Sequence, residues 1–200
     1  LGAAKENVPS SGSNAHSVDH NIAIGDNAML GGDLGTGTGV LTFKGNIAIG
    51  GNAMDATGAN EQTGTIAIGH EALTALTSGY YNTAIGYESL KANQTGAANT
   101  ALGYQSLLAT TGNNNTAVGY ASMKTNAAGT QNTAVGQEAL YTNASTSNNT
   151  ALGYQAGYTT TGASNTYVGH SAGKGASGAD AKNVGVGSNA LLAVTDGHNN

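Results

Sequence analysis

Residues 82–124, "NTAIGYESLKANQTGAANTALGYQSLLATTGNNNTAVGYASMK", state one short phrase three times. Its core is Ala, an aliphatic residue and Gly, and that core returns along most of the chain. With its Gly as the mark of each copy, the marks are Gly25, Gly50, Gly69, Gly86, Gly103, Gly119, Gly136, Gly153, Gly169 and Gly187. They are separated by 25, 19, 17, 17, 16, 17, 17, 16 and 18 residues. A repeat this short constrains the fold before anything else does. Each copy is one small structural unit that cannot bury its apolar side alone and must stack on its neighbours.

Three residues before the mark every copy holds a β-branched side chain: Ile22, Ile47, Ile66, then Thr83, Thr100, Thr116, Thr133, Thr150 and Thr166, then Val184. Such residues suit a strand. One residue before the mark every copy holds Ile, Leu or Val, and two before it eight copies hold Ala, with Tyr167 and Gly185 the exceptions. Strand side chains alternate between faces. The β-branched and aliphatic residues therefore share one face, and Ala and Gly share the other, which must be crowded. Three and four residues after the mark comes a second small-plus-large pair, such as Ser106-Leu107, as a second short strand or a turn would supply. Gly, Asn, Thr and Ser separate the copies and mark turns. Gly79, Gly96, Gly112, Gly129 and Gly162, each seven before a mark, are assigned to left-handed backbone positions.

Two short segments and two turns in about seventeen residues make one coil of a parallel β-solenoid, because common helical repeats run above thirty. The pattern predicts an all-β rod of about ten coils, stacked about 4.8 Å apart. Asn stands four before the mark in nine copies, with Thr65 the exception. Stacked Asn side chains bond along such an axis.

Composition narrows the function. The chain has 32 Gly, one Phe, no Trp and 8% charged residues, so each coil offers a thin core. A lone rod this thin buries little surface. The expectation is a homotrimer, side by side or intertwined, with the Ala/Gly face against sister chains. A net charge of −5 and scattered Lys residues point away from nucleic acid, which requires a basic face. Cysteine is absent, so disulfides and thiolate metal sites are unavailable. No apolar run approaches the ~20 residues of a spanning helix, so no membrane insertion is expected within this segment. No signal peptide is visible. The chain opens at Leu1 and closes on Asn199-Asn200, much as Asn148-Asn149 precedes a new copy, and reads as a window on a longer repetitive chain.

The phrase "NTAIGYESL", with its variants "NIAIGDNAM" and "NTAVGQEAL", resembles the head repeats of trimeric autotransporter adhesins, the YadA-like head, over residues 21–200. Similar repeats occur in phage and viral tail fibres and in bacterial surface fibres. The resemblance implies a left-handed parallel β-roll, three chains about one axis, and display outside a cell or on a virion. The coils here are longer than usual, and Thr replaces the usual aliphatic three before the mark in six copies.

The spacing divides the chain into a leading strand or linker at 1–20, irregular coils with insertions at 21–64, and regular coils from 65 to 200. Residues 31–44 ("GGDLGTGTGVLTFK") and 55–64 lengthen the first two coils. Both read as loops on one face, with a small extra strand at 40–43 as the alternative.

The candidate contact site is a rank of Tyr directly after the mark: Tyr87, Tyr104, Tyr120 and Tyr154. Tyr joins flat apolar area to a hydroxyl and suits a host-surface glycan or protein receptor. The competing reading is that these rings brace neighbouring coils. His70 and His170 occupy the same rank as substitutes for Tyr. His16, Asp19 and His20 carry metal-ligating groups, but a solvated loop is the simpler account. Glu71, Glu88 and Glu138 recur one per coil among Gln and Asn, as a solvated face does, rather than as the carboxylate pair of a glycosidase. Four Asn-x-Ser/Thr sequons begin at Asn93, Asn114, Asn143 and Asn148. No catalytic, cofactor or metal residues are assigned. The reading is a non-enzymatic structural and adhesive fibre segment that attaches by many weak contacts. The alternatives are an ice-binding solenoid, with the Thr file stacked but buried among core aliphatics, and a polysaccharide-acting β-helix.

Overall fold

A computed structural model of the chain describes residues 17–30, 42–56, 62–143, 145–175 and 181–192. The segment 1–16 with His16, most of the insertion at 31–41, residues 57–61 and the continuation at 193–200 lie outside the described residues. Among the described residues there is no helix, and the strands are β1 (Ser17–Asp19), β2 (Ile22–Ile24), β3 (Thr42–Lys44), β4 (Ile47–Ile49), β5 (Gln62–Thr63), β6 (Ile66–Ile68), β7 (Thr83–Ile85) and β8 (Thr100–Leu102). They continue with β9 (Ala109–Thr110), β10 (Thr116–Val118), β11 (Thr125–Asn126), β12 (Thr133–Val135), β13 (Thr150–Leu152), β14 (Thr166–Val168) and β15 (Val184–Val186).

The ten phrase strands form one parallel sheet in the order β2-β4-β6-β7-β8-β10-β12-β13-β14-β15. Equivalent residues pair without slip: Thr83 lies beside Thr100, Ala84 beside Ala101 and Ile85 beside Leu102. The chain is a parallel β-solenoid. Smaller sheets flank the large one: β1-β3-β5 near the first coils and β9-β11 further along. The strand alternative therefore holds for Thr42–Lys44, which pairs with both β1 and β5.

The two faces lie the opposite way round from the sequence expectation. Ala48, Ala67, Ala84, Ala101, Ala117, Ala134 and Ala151 are fully buried within the chain's own coils. The flanking β-branched and aliphatic residues point outward. The crowded side is thus the interior, not a surface left for sister chains. Its partners explain why. Met54, Leu73, Leu90, Leu107, Met123 and Leu140, four after their marks, are also fully buried and join the Ala side chains in one core. In so thin a coil a large residue on one wall leaves room only for a methyl on the other.

That second pair sits in a turn, and each coil places four residues in the left-handed region. In one coil these are Ala98 (φ 56°), Gly103 (136°), Gln105 (51°) and Leu107 (49°), and the same four offsets recur at all ten marks. A left-handed residue other than Gly costs about 1–2 kcal/mol. The bonds between coils offset that cost, since Gln105 N donates to Tyr87 O at 2.9 Å and Leu107 N to Ser122 O at 3.0 Å. At the mark itself only Gly fits. A Cβ on Gly119 would lie 2.6 Å from the carbonyl oxygen of Gly136 in the next coil.

The glycines seven before the mark have another role than the one expected. Gly79, Gly96, Gly112, Gly129 and Gly162 do not have positive φ. A Cβ on Gly96 would meet Gly112 O and Asn93 Oδ1, each at 2.6 Å. Gly79, Gly96, Gly112 and Gly129 are small because the next coil passes against them. The Asn column four before the mark makes use of that approach. Asn99 is buried; its Nδ2 donates to Gly112 O at 2.9 Å, and its Oδ1 accepts the backbone N–H of Asn115 at 2.9 Å. The column therefore ties side chain to backbone first. Side chain bonds to side chain only at longer reach, as Asn115 Nδ2 to Asn99 Oδ1 at 3.2 Å.

Candidate functional site

The Gly mark turns the chain out of the sheet, so the next side chain emerges at the rod surface. There Tyr87, Tyr104 and Tyr120 stack face to face, with ring centres 5.4 and 5.1 Å apart and planes within 8°. His70 continues the file below Tyr87 at 5.4 Å, and His170 stacks on Tyr154 at 5.2 Å. Gln137 interrupts the file between Tyr120 and Tyr154. The four Tyr residues remain 41–52% exposed. The rings brace successive coils, as the competing sequence reading has it, and they also face solvent. The inner ring faces are taken by neighbouring rings, so a ligand meets ring edges and a row of hydroxyls rather than open aromatic planes.

A second file, five after the mark, was not singled out from the sequence. Tyr141 and Tyr158 stack at 5.0 Å and 8°, with Lys124 Nζ 5.8 Å from the Tyr141 ring centre and Lys174 Nζ 6.0 Å from that of Tyr158. Cations at these distances are held by the ring quadrupole. Burial and the nearby Glu138 carboxylate push the Tyr158 hydroxyl above its ordinary pKa. The signal in the sequence was the equal offset of Lys124, Tyr141, Tyr158 and Lys174 from the marks of four consecutive copies.

Beside the Tyr file, Lys91 Nζ lies 2.6 Å from Glu71 and 2.7 Å from Glu88. Gln105 Nε2 donates to the other Glu88 oxygen at 2.6 Å. The hydrogen bond from Lys91, then that from Gln105, holds the Glu88 carboxyl below the usual range, and the two carboxylates raise the Lys91 ammonium. These Glu residues neutralise a cation and hold an amide, one rung to the next. Among the described residues no three His, Cys, Asp or Glu side chains gather as metal ligands, and no helix is long and apolar enough to cross a membrane. The sequons divide: Asn93 and Asn143 are buried with their amides bonded inside the coil, whereas Asn114 and Asn148 are exposed.

A further surface is the outer face of the ten-stranded sheet. Its two columns are the Thr file, half-buried at Thr83, Thr116, Thr133, Thr150 and Thr166 and exposed at Thr100, and the aliphatic file. Ile24 is 55% exposed, Leu102 46% and Val186 68%. The Thr file is therefore not buried, as the sequence suggested, because the face it shares with the aliphatics is not the core face.

Fold and surface together define a repeat protein of the parallel β-solenoid class. No family model, no curated protein and no solved structure matches the chain.

Proposed function

We propose that this chain is a non-enzymatic, structural and adhesive segment of a fibre displayed outside a cell or on a virion, assembled as a homotrimer through the outer face of its sheet. The observation that carries the reading is the half-buried to exposed aliphatic column on an in-register face. A regular stack of large apolar side chains left in water favours a partner, and an identical chain supplies a face of identical period. The resemblance to YadA-like heads supports the same architecture, including its left-handed roll. On an assembled rod, the Tyr file and the exposed loops would repeat around the axis. Weak contacts to a glycan or protein receptor would then gain by avidity.

Mass measurement in solution tests the assembly, with three chains expected and a monodisperse single chain ruling it out. Binding of the rod to arrays of glycans and extracellular proteins tests adhesion. The expected result is binding that falls when Tyr87, Tyr104 and Tyr120 become Ala. No binding to any arrayed surface would leave only the spacer role. Turnover of any arrayed polysaccharide would instead favour the β-helix enzyme reading.

A second reading draws support from the same face. The outward Thr file beside aliphatic methyls forms a regular two-column array, as binding to ice would need. Ice and a sister chain cannot both occupy it. Thermal hysteresis from a single-chain species would favour ice; a trimer without hysteresis would remove it.

A further inference from the structure

We propose that the stacked tyrosine files are sites of oxidative cross-linking, at which dityrosine bonds join successive coils when the rod meets a haem peroxidase and hydrogen peroxide. The pairs are Tyr87–Tyr104, Tyr104–Tyr120 and Tyr141–Tyr158. In each pair two phenols lie in successive coils with ring centres 5.0–5.4 Å apart and planes within 8°. Tyr87, Tyr104 and Tyr120 are 45%, 41% and 52% exposed, open to an oxidant from solvent.

The chemistry balances within the pair and its oxidant. Each phenol loses one electron and its hydroxyl proton to become a phenoxyl radical. Two radicals couple through a carbon ortho to each oxygen, forming one C–C bond. The two ortho hydrogens then return as protons to the oxygens and restore both rings. The pair has lost two hydrogens, and one hydrogen peroxide has taken up two electrons and two protons to give two waters. Radical coupling is otherwise limited by encounter. Here the parallel sheet holds the partners in place, which turns a bimolecular step into an effectively unimolecular one.

The molecule supplies its own control. Tyr154 occupies the same rank and is 41% exposed, but its stacking partner is His170 and its other neighbour in the file is Gln137. It meets the oxidant equally and lacks a stacked phenol.

The test treats the dilute full chain with a haem peroxidase and hydrogen peroxide, then maps linked peptides by mass and follows dityrosine fluorescence. The expected result is links within one chain at the three named pairs, each two hydrogens lighter, with Tyr154 linked at least tenfold less. Tyr104→Phe keeps a ring in the stack and should abolish both links of the first file while leaving Tyr141–Tyr158. Tyr141→Phe should do the reverse. Unfolding in urea before oxidation should erase the preference. Links spread over all tyrosines of the folded chain, links only between chains, or none at all would overturn the proposal. Its outcome does not depend on what covers the outer sheet face.

Discussion

Tyr167 shows how one residue can be out of pattern without being out of place. It takes the column otherwise held by Ala and is fully buried. The two Gly residues that replace Leu, Gly157 and Gly173, lie on either side of it. A Cβ on Gly157 would come within 2.9 Å of the Tyr167 ring, and one on Gly173 would run into that ring. The ring fills the space two Leu side chains fill elsewhere. Tyr167→Ala should therefore cost about 3–5 kcal/mol as a large-to-small core change. Adding Gly157→Leu and Gly173→Leu should recover a large part, measured by denaturant unfolding. No recovery would mean that the exchange is not the reason for the three exceptions. All three were visible in the sequence as exceptions, but their compensation was not, because it acts between coils and across the core. Thr65 is the converse case, an exception with no compensation. Its hydroxyl is buried without a hydrogen-bond partner, as is the amide of Gln62 nearby in sequence. Thr65→Asn would restore the column, offering Oδ1 to the Asn82 N–H and Nδ2 to the Gly79 carbonyl. A gain of about 1–3 kcal/mol follows from two recovered buried bonds, and a loss of stability would show that the site is too narrow for Asn.

At the scale of the element, strand positions, turns and register were legible in the sequence. The inward direction was not. Alternation assigns residues to two faces but does not say which is inside. In most proteins the larger aliphatics decide that question; in this coil the Leu or Met four after the mark has already filled the interior. Only Ala then fits opposite, and Ile85, Leu102 and Val118 are turned out. The surface rung of Glu71, Glu88 and Lys91 belongs to this scale too. Glu88 titrates below its usual range because Lys91 and Gln105 bond its charged form, so its contribution is present above the unfolded carboxylate pKa and is lost as pH falls through the lower folded value. The raised Lys91 gives the mirror case: its contribution is present below the unfolded lysine pKa and is lost as pH rises through the folded value. The rung should stabilise the rod between roughly pH 5 and pH 10. Partial exposure and screening limit it to under about 1 kcal/mol. Lys91→Met should lower the unfolding midpoint at pH 7 and leave it unchanged at pH 3. An equal effect at both would assign the loss to packing.

For the assembled rod, the outer face of the sheet decides what this chain packs against. Leu102→Asp with Val135→Asp separates the possibilities, because both sites are on the surface of a single chain, 46% and 39% exposed. In a trimer packed through that face the new carboxylates would be buried and unpaired, at several kcal/mol each. The expected outcome is a single-chain mass with an unchanged far-UV spectrum. An unchanged oligomer would move the contact to another face.

The marks are 16 to 19 residues apart from Gly50 onward, yet equivalent residues still pair without slip. The turns take up the difference in length, and each coil answers only to the one above and the one below. A gene for such a rod can therefore gain or lose a coil by unequal recombination and still encode a closed ladder. The length of the rod becomes a heritable quantity that changes in steps of one rung, with no new interface to invent.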